Sequence, residues 1–194
     1  MVSGKSSIFL TLLGFLPYRG TIKIDGTEVS KIPRQVLRER LTVIPQDGLI
    51  LPGTIRQNLM PWLLNEADPP SADQISAPVV FQVLHDTFMA EKVESVGGLD
   101  INIEKLGLSA GEQQLFSMAR SILVNQRNGG KVILMDEATS NLDKETDKKL
   151  QHSIKKAFEN FTMCTIAHRT ETVESADMIY EIERGRLASQ VRWS

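Results

Sequence analysis

This sequence of 194 residues has only one cysteine and a small net charge. The single cysteine, Cys164, excludes an internal disulfide framework and a thiolate metal cluster. Its apolar neighbours indicate a small core residue, and a reducing compartment fits this usage. The formal net charge of −2 gives no indication of a nucleic-acid partner or of binding to an acidic membrane surface.

Long apolar runs are missing as well. The most apolar early stretch, "IFLTLLGFL", is far shorter than the ~20 residues that span a bilayer. We therefore expect a buried helix here, and neither a signal peptide nor a membrane-crossing segment in this chain. Hydrophobic residues make up 41% of the sequence, which at this length is enough for one domain with a real core.

Three apolar runs predict buried strands. "KVILMDE" and "FTMCTIAH" are continuous, as expected of strands covered on both faces, and "LTVIPQD" is a shorter strand that ends at Pro45. "GTIKIDGTEV" and "ADMIYEIERGRLASQV" each predict two strands joined by a glycine turn. Because strands alternate with helical patterns, the sequence predicts an α/β domain with a mainly parallel sheet.

Helical spacing of apolar residues predicts the remaining elements. The first helix covers Ser6 to Leu16 and ends at Pro17, and a long amphipathic helix begins at Ser109. Two further segments, "APVVFQVLHDTFMAEKVESV" and "DKETDKKLQHSIKKAF", are also helical in spacing. Residues 62–78 are rich in proline, aspartate, alanine and asparagine, which predicts a connecting loop.

Two acids, Asp136 and Glu137, end one of the buried strands. Ligands of open α/β sheets bind at the carboxyl edge of the strands, and adjacent carboxylates there are costly unless a positive group shares the site. Mg²⁺ on a nucleotide is the natural partner, since one acid can help to hold the metal while the next orients a water molecule. The alternative is a strand that simply ends in two solvated acids.

The first residues contain a second candidate site, "SGKSS", which is Ser3 to Ser7. Backbone N–H groups at a helix start with glycine attract phosphate. Lys5 can bridge the terminal phosphates, and the Ser6 hydroxyl can ligate Mg²⁺. The alternative is an ordinary helix start capped by serine. Both motifs in one chain, in this order, favour a nucleotide site.

A third stretch, "LSAGEQQ", begins the long helix. Ser109 and Glu112 form the Ser-x-x-Glu pattern of a capping box. Ser109, Ala110 and Gly111 also leave a positive helix end that can hold an anion without any lysine. The stretch resembles the signature of ATP-binding cassette (ABC) proteins, Leu-Ser-x-Gly-Gln, with Glu112 in the place of the usual glutamine.

The resemblance to ABC proteins extends over the whole chain. "VIPQD" resembles the Q-loop, with Gln46, while "SNLD" resembles the D-loop, with Asp143, and "TIAHR" resembles the switch, with His168. "GTIRQNL" and "GGLD" are similar to the multidrug-resistance-associated branch, subfamily C. The glutamate at position 137, directly after Asp136, resembles the hydrolysis-competent form of the site, which that branch has in its second cassette.

This resemblance implies a P-loop NTPase fold in which residues 1–194 form a partial ATP-binding domain and residues 62–125 its helical signature subdomain. It implies ATP and Mg²⁺ as ligands, and three groups of site residues. The catalytic group is Glu137, His168 and Gln46; the metal group is Ser6, Gln46 and Asp136; the ATP-binding group is Ser3, Gly4, Lys5, Ser6, Ser7, Ser109, Ala110, Gly111, Glu112 and Asp143.

The partners implied by the resemblance are a second cassette, paired head to tail, and the transmembrane domains of an exporter. The signature residues Ser109 and Gly111 would then contact the ATP held by the partner cassette. The chain would act at the cytoplasmic face of a membrane and couple ATP hydrolysis to transport, with no nucleic-acid partner.

The N-terminus departs from the family pattern, Gly-x-x-Gly-x-Gly-Lys-Ser/Thr. Val2 stands where a glycine belongs, and the leading glycine, the strand before the loop, the first antiparallel strands and the aromatic residue that stacks on adenine are absent. We therefore expect a truncated cassette. Unpaired strand neighbours cost about 1–3 kcal/mol for each buried polar group, so we expect poor stability and weak nucleotide binding of this chain alone.

Two other functional classes remain as alternatives. A soluble cassette ATPase of chromosome maintenance or DNA repair carries coiled-coil arms between the Q-loop and the signature. Here Ser109 follows Gln46 by 63 positions without sustained heptads, which argues against that class. A non-catalytic remnant is the other alternative: the intact Glu137 argues against it, and the incomplete phosphate loop argues for it.

Overall fold

The computed structural model describes residues 4–46, 48–64, 75–136, 143–167 and 176–192. In chain order its helices are α1 (Lys5–Leu12), α2 (Arg34–Arg40), α3 (Ile55–Leu59), α4 (Ala77–Asp86), α5 (Ala90–Ser95), α6 (Ala110–Asn128) and α7 (Lys144–Ala157). Its strands are β1 (Lys23–Ile24), β2 (Thr27–Glu28), β3 (Leu41–Ile44), β4 (Val132–Asp136), β5 (Thr162–Ile166), β6 (Met178–Glu183) and β7 (Arg186–Arg192).

The central sheet consists of β3, β4 and β5, all parallel and in that order. These are the three strands predicted from the apolar runs, but the prediction that β5 is covered on both faces is wrong: it lies at the edge of the described sheet and is only partly buried. Ile44 is in register with Met135, and Asp136 with Ile166, so the carboxyl ends of the three strands meet at one edge. The two predicted hairpins are also present, as the antiparallel pairs β1–β2 and β6–β7. The α/β fold class with a parallel sheet is therefore confirmed.

The two faces of this sheet carry separate hydrophobic clusters, because successive side chains of a strand point to opposite faces. Ile133 and Met135 belong to the cluster that contains the buried residues of α6 and α7. Leu134 and Ile166 belong to the other, together with the buried residues of α1 and α2. Both crossovers of the parallel sheet thus use one face, as right-handed connections require, and α1 lies on the opposite face from α6.

Helix α1 ends at Leu12, well before the proline at which the sequence predicted its end. The stop is Gly14, whose φ of 71° is in the left-handed region that favours glycine. The N–H of Phe15 donates to the Leu10 carbonyl at 2.8 Å, and the N–H of Gly14 to the Thr11 carbonyl at 3.0 Å. These two bonds form a Schellman motif, which satisfies the last carbonyls of the helix.

The predicted single helix after residue 77 is instead two helices, α4 and α5. Between them Phe88 has a φ of 59°, a left-handed conformation that is incompatible with a right-handed helix. The Thr87 hydroxyl donates to the Val83 carbonyl at 2.9 Å, at the end of α4. Of the predicted loop at 62–78, residues 65–74 lie outside the described part. The prediction is wrong at both ends, because residues 62–64 belong to the 3₁₀ helix Pro61–Leu64 and residues 77–78 begin α4. Among the described residues, no helix is both long enough and apolar enough to cross a membrane.

Candidate functional site

The carboxyl edge of the parallel sheet brings two of the predicted site residues together. Asp136 is the last residue of β4, and Gln46 follows the end of the adjacent strand β3 by two positions. Asp136 is half-buried and Gln46 is exposed. The other residues predicted for this edge, Glu137 and His168, lie outside the described residues, as does Ser3.

Helix α1 begins at Gly4, which is its N-cap, with a φ of 87°. A side chain is strained in that conformation, which favours glycine at this position. Lys5, Ser6 and Ser7 form the first turn. Because the N-cap is a glycine, the alternative of a helix start capped by a serine side chain does not describe this helix.

Helix α6 begins at Ser109 with the predicted capping box. The N–H of Glu112 donates to Ser109 Oγ at 3.3 Å, and the N–H of Ser109 donates to Glu112 Oε2 at 2.8 Å. Ser109 and Ala110 are exposed, whereas Gly111 and Glu112 are half-buried. The positive end of a 19-residue helix is thus presented on the surface by a first turn whose capping box is complete.

A lysine that the sequence analysis did not single out also contacts the first turn of α6. Lys92 of α5 donates from Nζ to Glu112 Oε1 at 2.5 Å. The ion pair with Lys92, followed by the bond from the Ser109 N–H, lowers the pKa of the Glu112 carboxyl. The two residues are 20 positions apart in different helices, so no periodicity of the sequence indicates the contact.

The same helix supports the segment after β3. Gln114 is 3% exposed, and its Nε2 donates to the Gln46 carbonyl oxygen at 2.9 Å. A Cβ on Gly48 would lie only 2.4 Å from the Gln113 carbonyl oxygen, so this segment packs directly on the backbone of α6. The stretch that resembles the Q-loop and the stretch that resembles the signature are therefore in contact within a single chain, although the resemblance assigns them to different ATP molecules.

Asp143 caps helix α7. Its Oδ1 accepts from the N–H groups of Thr146 at 3.0 Å and Glu145 at 3.1 Å. The bond from Thr146 is the main reason for the lowered pKa of this carboxyl. Capping alone accounts for an acid at this position. The predicted contact of Asp143 with ATP is not tested by these bonds.

Two stretches predicted to mark the subfamily, "GTIRQNL" and "GGLD", pack against each other. The Arg56 guanidinium donates to both carboxylate oxygens of Asp100, at 2.7 and 3.0 Å, which also lowers the pKa of that carboxyl. The N–H groups of Ile55 and Arg56 donate to the carbonyls of Ile101 and Leu99. These stretches therefore join α3 to the turn after α5, a contact that sequence spacing alone did not reveal.

The oxygen atoms of the predicted metal group are of the types that fit a magnesium ion. Within the described part of the chain, no group of three or more histidine, cysteine, aspartate or glutamate side chains is placed to hold a metal. The predicted set of Ser6, Gln46 and Asp136 supplies a hydroxyl, an amide and a carboxylate oxygen. Mg²⁺ prefers such oxygens, and it is usually held by one or two carboxylates together with substrate phosphates and water.

Comparison with known protein families finds a match to one model, described as ABC transporter, over residues 3–140. ATP-binding cassette sub-family C member 10 of Mus musculus is 37% identical over 188 residues, covering 95% of this chain and 12% of the mouse protein. ABC multidrug transporter B of Aspergillus fumigatus is 35% identical, with coverage of 95% and 12%. Metal resistance protein YCF1 of Saccharomyces cerevisiae is 35% identical, with coverage of 96% and 12%.

A solved structure also resembles the chain. It is described as a bacterial Atm1-family ABC exporter with ATP bound, and it superimposes with a TM-score of 0.81 at 30% sequence identity. The match covers 97% of this chain and 31% of the exporter chain. This chain thus corresponds to one part of each of these longer proteins, 12% of the length of the curated relatives.

Proposed function

This chain belongs to the ABC transporter family, and we propose that it is the ATP-binding and hydrolysing cassette of a membrane exporter. The observation that carries the proposal is the sheet edge, where Asp136 and the segment around Gln46 end neighbouring parallel strands. Ligand sites of open α/β sheets are found at this edge. The multidrug transporter among the relatives and the ABC exporter among the solved structures support the coupling to transport.

We assign the ATP itself to the first turn of α1 and the sheet edge. The backbone amides that follow Gly4 and the Lys5 ammonium group bind the β- and γ-phosphates, since both a helix start and a lysine favour anions. Oxygens of Ser6, Gln46 and Asp136 hold Mg²⁺. When bound, the ion neutralises charge that develops on the phosphate oxygens.

Hydrolysis requires a water molecule that attacks the γ-phosphate. In the proposed site Glu137 accepts a proton from that water, and Gln46 helps to orient it. His168 donates a hydrogen bond to a γ-phosphate oxygen. The glutamate at position 137 is the reason for proposing an active site of the kind found in second cassettes of subfamily C.

A second cassette is proposed to complete the site. The position of α1 and α6 on opposite faces of the sheet favours an arrangement in which Lys5 and Ser109 of one chain serve different ATP molecules. Ser109, Ala110 and Gly111 would contact the ATP of a partner cassette paired head to tail, and Asp143 would lie at the same interface. Transmembrane domains would bind this pair at the cytoplasmic face of the membrane.

The experiment is a comparison of Glu137→Gln and Lys5→Ala with the unchanged chain at millimolar Mg-ATP. We expect Glu137→Gln to bind ATP with unchanged affinity but to release phosphate about 10²–10⁴-fold more slowly, as loss of a general base does. Lys5→Ala should weaken binding itself. Phosphate release that ignores the Glu137 substitution would exclude catalysis at this site, and binding without release would leave a non-catalytic cassette.

A further inference from the structure

The contact between Lys92 and Glu112 joins two helices at the tip of the signature helix α6. Lys92 Nζ is 2.5 Å from Glu112 Oε1, and the two side chains are only 29% and 32% exposed. The next residue of α5, Val93, is fully buried in the core, so the backbone that carries Lys92 is anchored. The lysine is therefore held at the helix tip by the fold.

Both oxygens of the Glu112 carboxylate are occupied. One accepts from Lys92, and the other accepts from the Ser109 N–H at 2.8 Å. A glutamine at this position could still accept from the Ser109 N–H, as capping boxes with glutamine do. It carries no charge, however, and its amide NH₂ could not accept from the ammonium group of Lys92. The glutamate and the lysine are thus matched to each other.

The charge of Glu112 opposes the binding of an anion at this helix tip. The N-terminus of a helix carries roughly half a positive charge, and a carboxylate in the first turn cancels it. A phosphate approaching Ser109 would then meet a negative group. An ammonium ion beside that carboxylate restores the balance, and its effect is strong because both groups are partly shielded from water.

We propose that Lys92 is a positioning residue that neutralises Glu112 and thereby allows the signature helix to accept the phosphates of ATP. The inference rests on the proposed function and adds to it a residue from outside the recognised motifs. It accounts for a glutamate in the place of the usual glutamine of the signature. Lys92 acts through Glu112 and the field at the helix tip.

The test uses ATP-driven self-association of this chain, measured by sedimentation with Mg-ATP at low salt in the Glu137→Gln background, in which hydrolysis is slow. Lys92→Met should raise the ATP concentration for half-maximal association by about five- to tenfold, which corresponds to roughly 1–1.4 kcal/mol. Lys92→Arg, which keeps the charge, should stay within about twofold of the parent. Glu112→Gln alone removes the opposing negative charge and keeps Lys92, so it should lower the ATP concentration for half-maximal association.

The decisive variant is Lys92→Met combined with Glu112→Gln. Because it removes both charges together, association should return to within about twofold of the parent. A lysine that merely stabilised the fold would not be rescued in this way. The deficit of Lys92→Met should also shrink at 0.5 M salt, since screening weakens the repulsion between Glu112 and phosphate.

Lys31→Met is the matched control. It breaks another lysine–glutamate pair, Lys31 to Glu28 at 2.8 Å, in the turn after β2, and it changes the net charge by the same amount. Association should be unaffected. Thermal unfolding of every variant is recorded, and if Lys92→Met does not fold, Glu112→Gln and the double variant still decide, because weakened association in either contradicts the proposal.

The outcomes separate the two levels of inference. A parent chain that neither binds ATP nor associates with it would overturn the proposed function, and this inference with it. A parent chain that associates, together with an unimpaired Lys92→Met or an unrescued double variant, would overturn only the role of Lys92. The proposed ATPase site would then stand without it.

Discussion

Gln114 offers the sharpest test of how the signature helix supports the Q-loop. It is buried, and its Nε2 donates to the Gln46 carbonyl oxygen at 2.9 Å. Gln114→Met keeps the length and the approximate volume of the side chain but removes its polar end. The variant therefore leaves the packing of α6 nearly unchanged and removes the bond to the segment after β3.

The size of the effect follows from the surroundings of the bond. A hydrogen bond of this kind contributes about 0.5–1.5 kcal/mol, and Gln46 is exposed, so water can take up part of the freed carbonyl's demand. We expect a loss of about 1 kcal/mol in the free energy of unfolding. With a slope of roughly 2 kcal/mol per molar urea, the unfolding midpoint should fall by about 0.5 M. Turnover of Mg-ATP should fall more steeply, by about tenfold, because Gln46 is no longer held in position.

Urea unfolding and phosphate release are measured on Gln114→Met beside Gln113→Met. Gln113 is the matched control, since its Nε2 makes a longer bond of 3.3 Å to the Leu108 carbonyl, close to its own helix start. Its midpoint should move by less than half as much, and its turnover should be nearly unchanged. Equal effects of the two substitutions would refute the idea that the contact between α6 and Gln46 organises the site.

Three further predictions concern other contacts of helix α6. Gly48→Ala should destabilise the chain by about 1–3 kcal/mol in urea unfolding, because its Cβ would meet the Gln113 carbonyl oxygen at 2.4 Å; a midpoint equal to that of the parent would contradict this packing. Asn125→Leu should cost about 2–3 kcal/mol, because Asn125 is 5% exposed and donates to Thr42 Oγ1 and the Gly130 carbonyl; a change under about 0.5 kcal/mol would contradict that role. The Glu112 pKa is lowered from 4.5, mainly by Lys92, so its stabilising effect is present above pH 4.5 and is lost as the pH falls through the lower folded-state pKa. Urea midpoints of the parent and of Lys92→Met should therefore differ at pH 6 and converge as the pH is lowered below 4.5 and Glu112 becomes protonated, and a constant difference would refute the assignment.

Local patterns predicted the elements well because the interactions that form them are local. The apolar runs before Asp136 and after Phe161 predicted β4 and β5 as strands. Burial was predicted correctly for β4, but β5 is only partly buried, with Thr162 and Thr165 exposed. The capping box of Ser109 and Glu112 was equally readable, because its two bonds join residues three positions apart. The end of α1 was predicted wrongly although its signal was present, since Gly14 stops a helix before Pro17 can.

Contacts between distant residues could not be predicted in this way. Gln114 and Gln46 are 68 positions apart, and Arg56 and Asp100 are 44 positions apart. Nothing in the spacing of either pair sets the distance between them, which depends on how α6 packs on β3 and how α3 lies against the turn after α5. The subfamily stretches were noticed in the sequence, but their bidentate ion pair was not.

By itself the sequence determined the α/β class, the strands of the sheet and the order of the family's motifs, because periodicity, capping and turn chemistry act over a few neighbouring residues. The tertiary structure alone decided that α1 and α6 lie on opposite faces, that Gln114 bonds to the Gln46 carbonyl and that Lys92 pairs with Glu112. Those arrangements form only when the helices pack on the sheet and bring side chains from separate elements together. The hydrogen bonds and ion pairs then join residues that are far apart in the sequence, so local patterns do not indicate them.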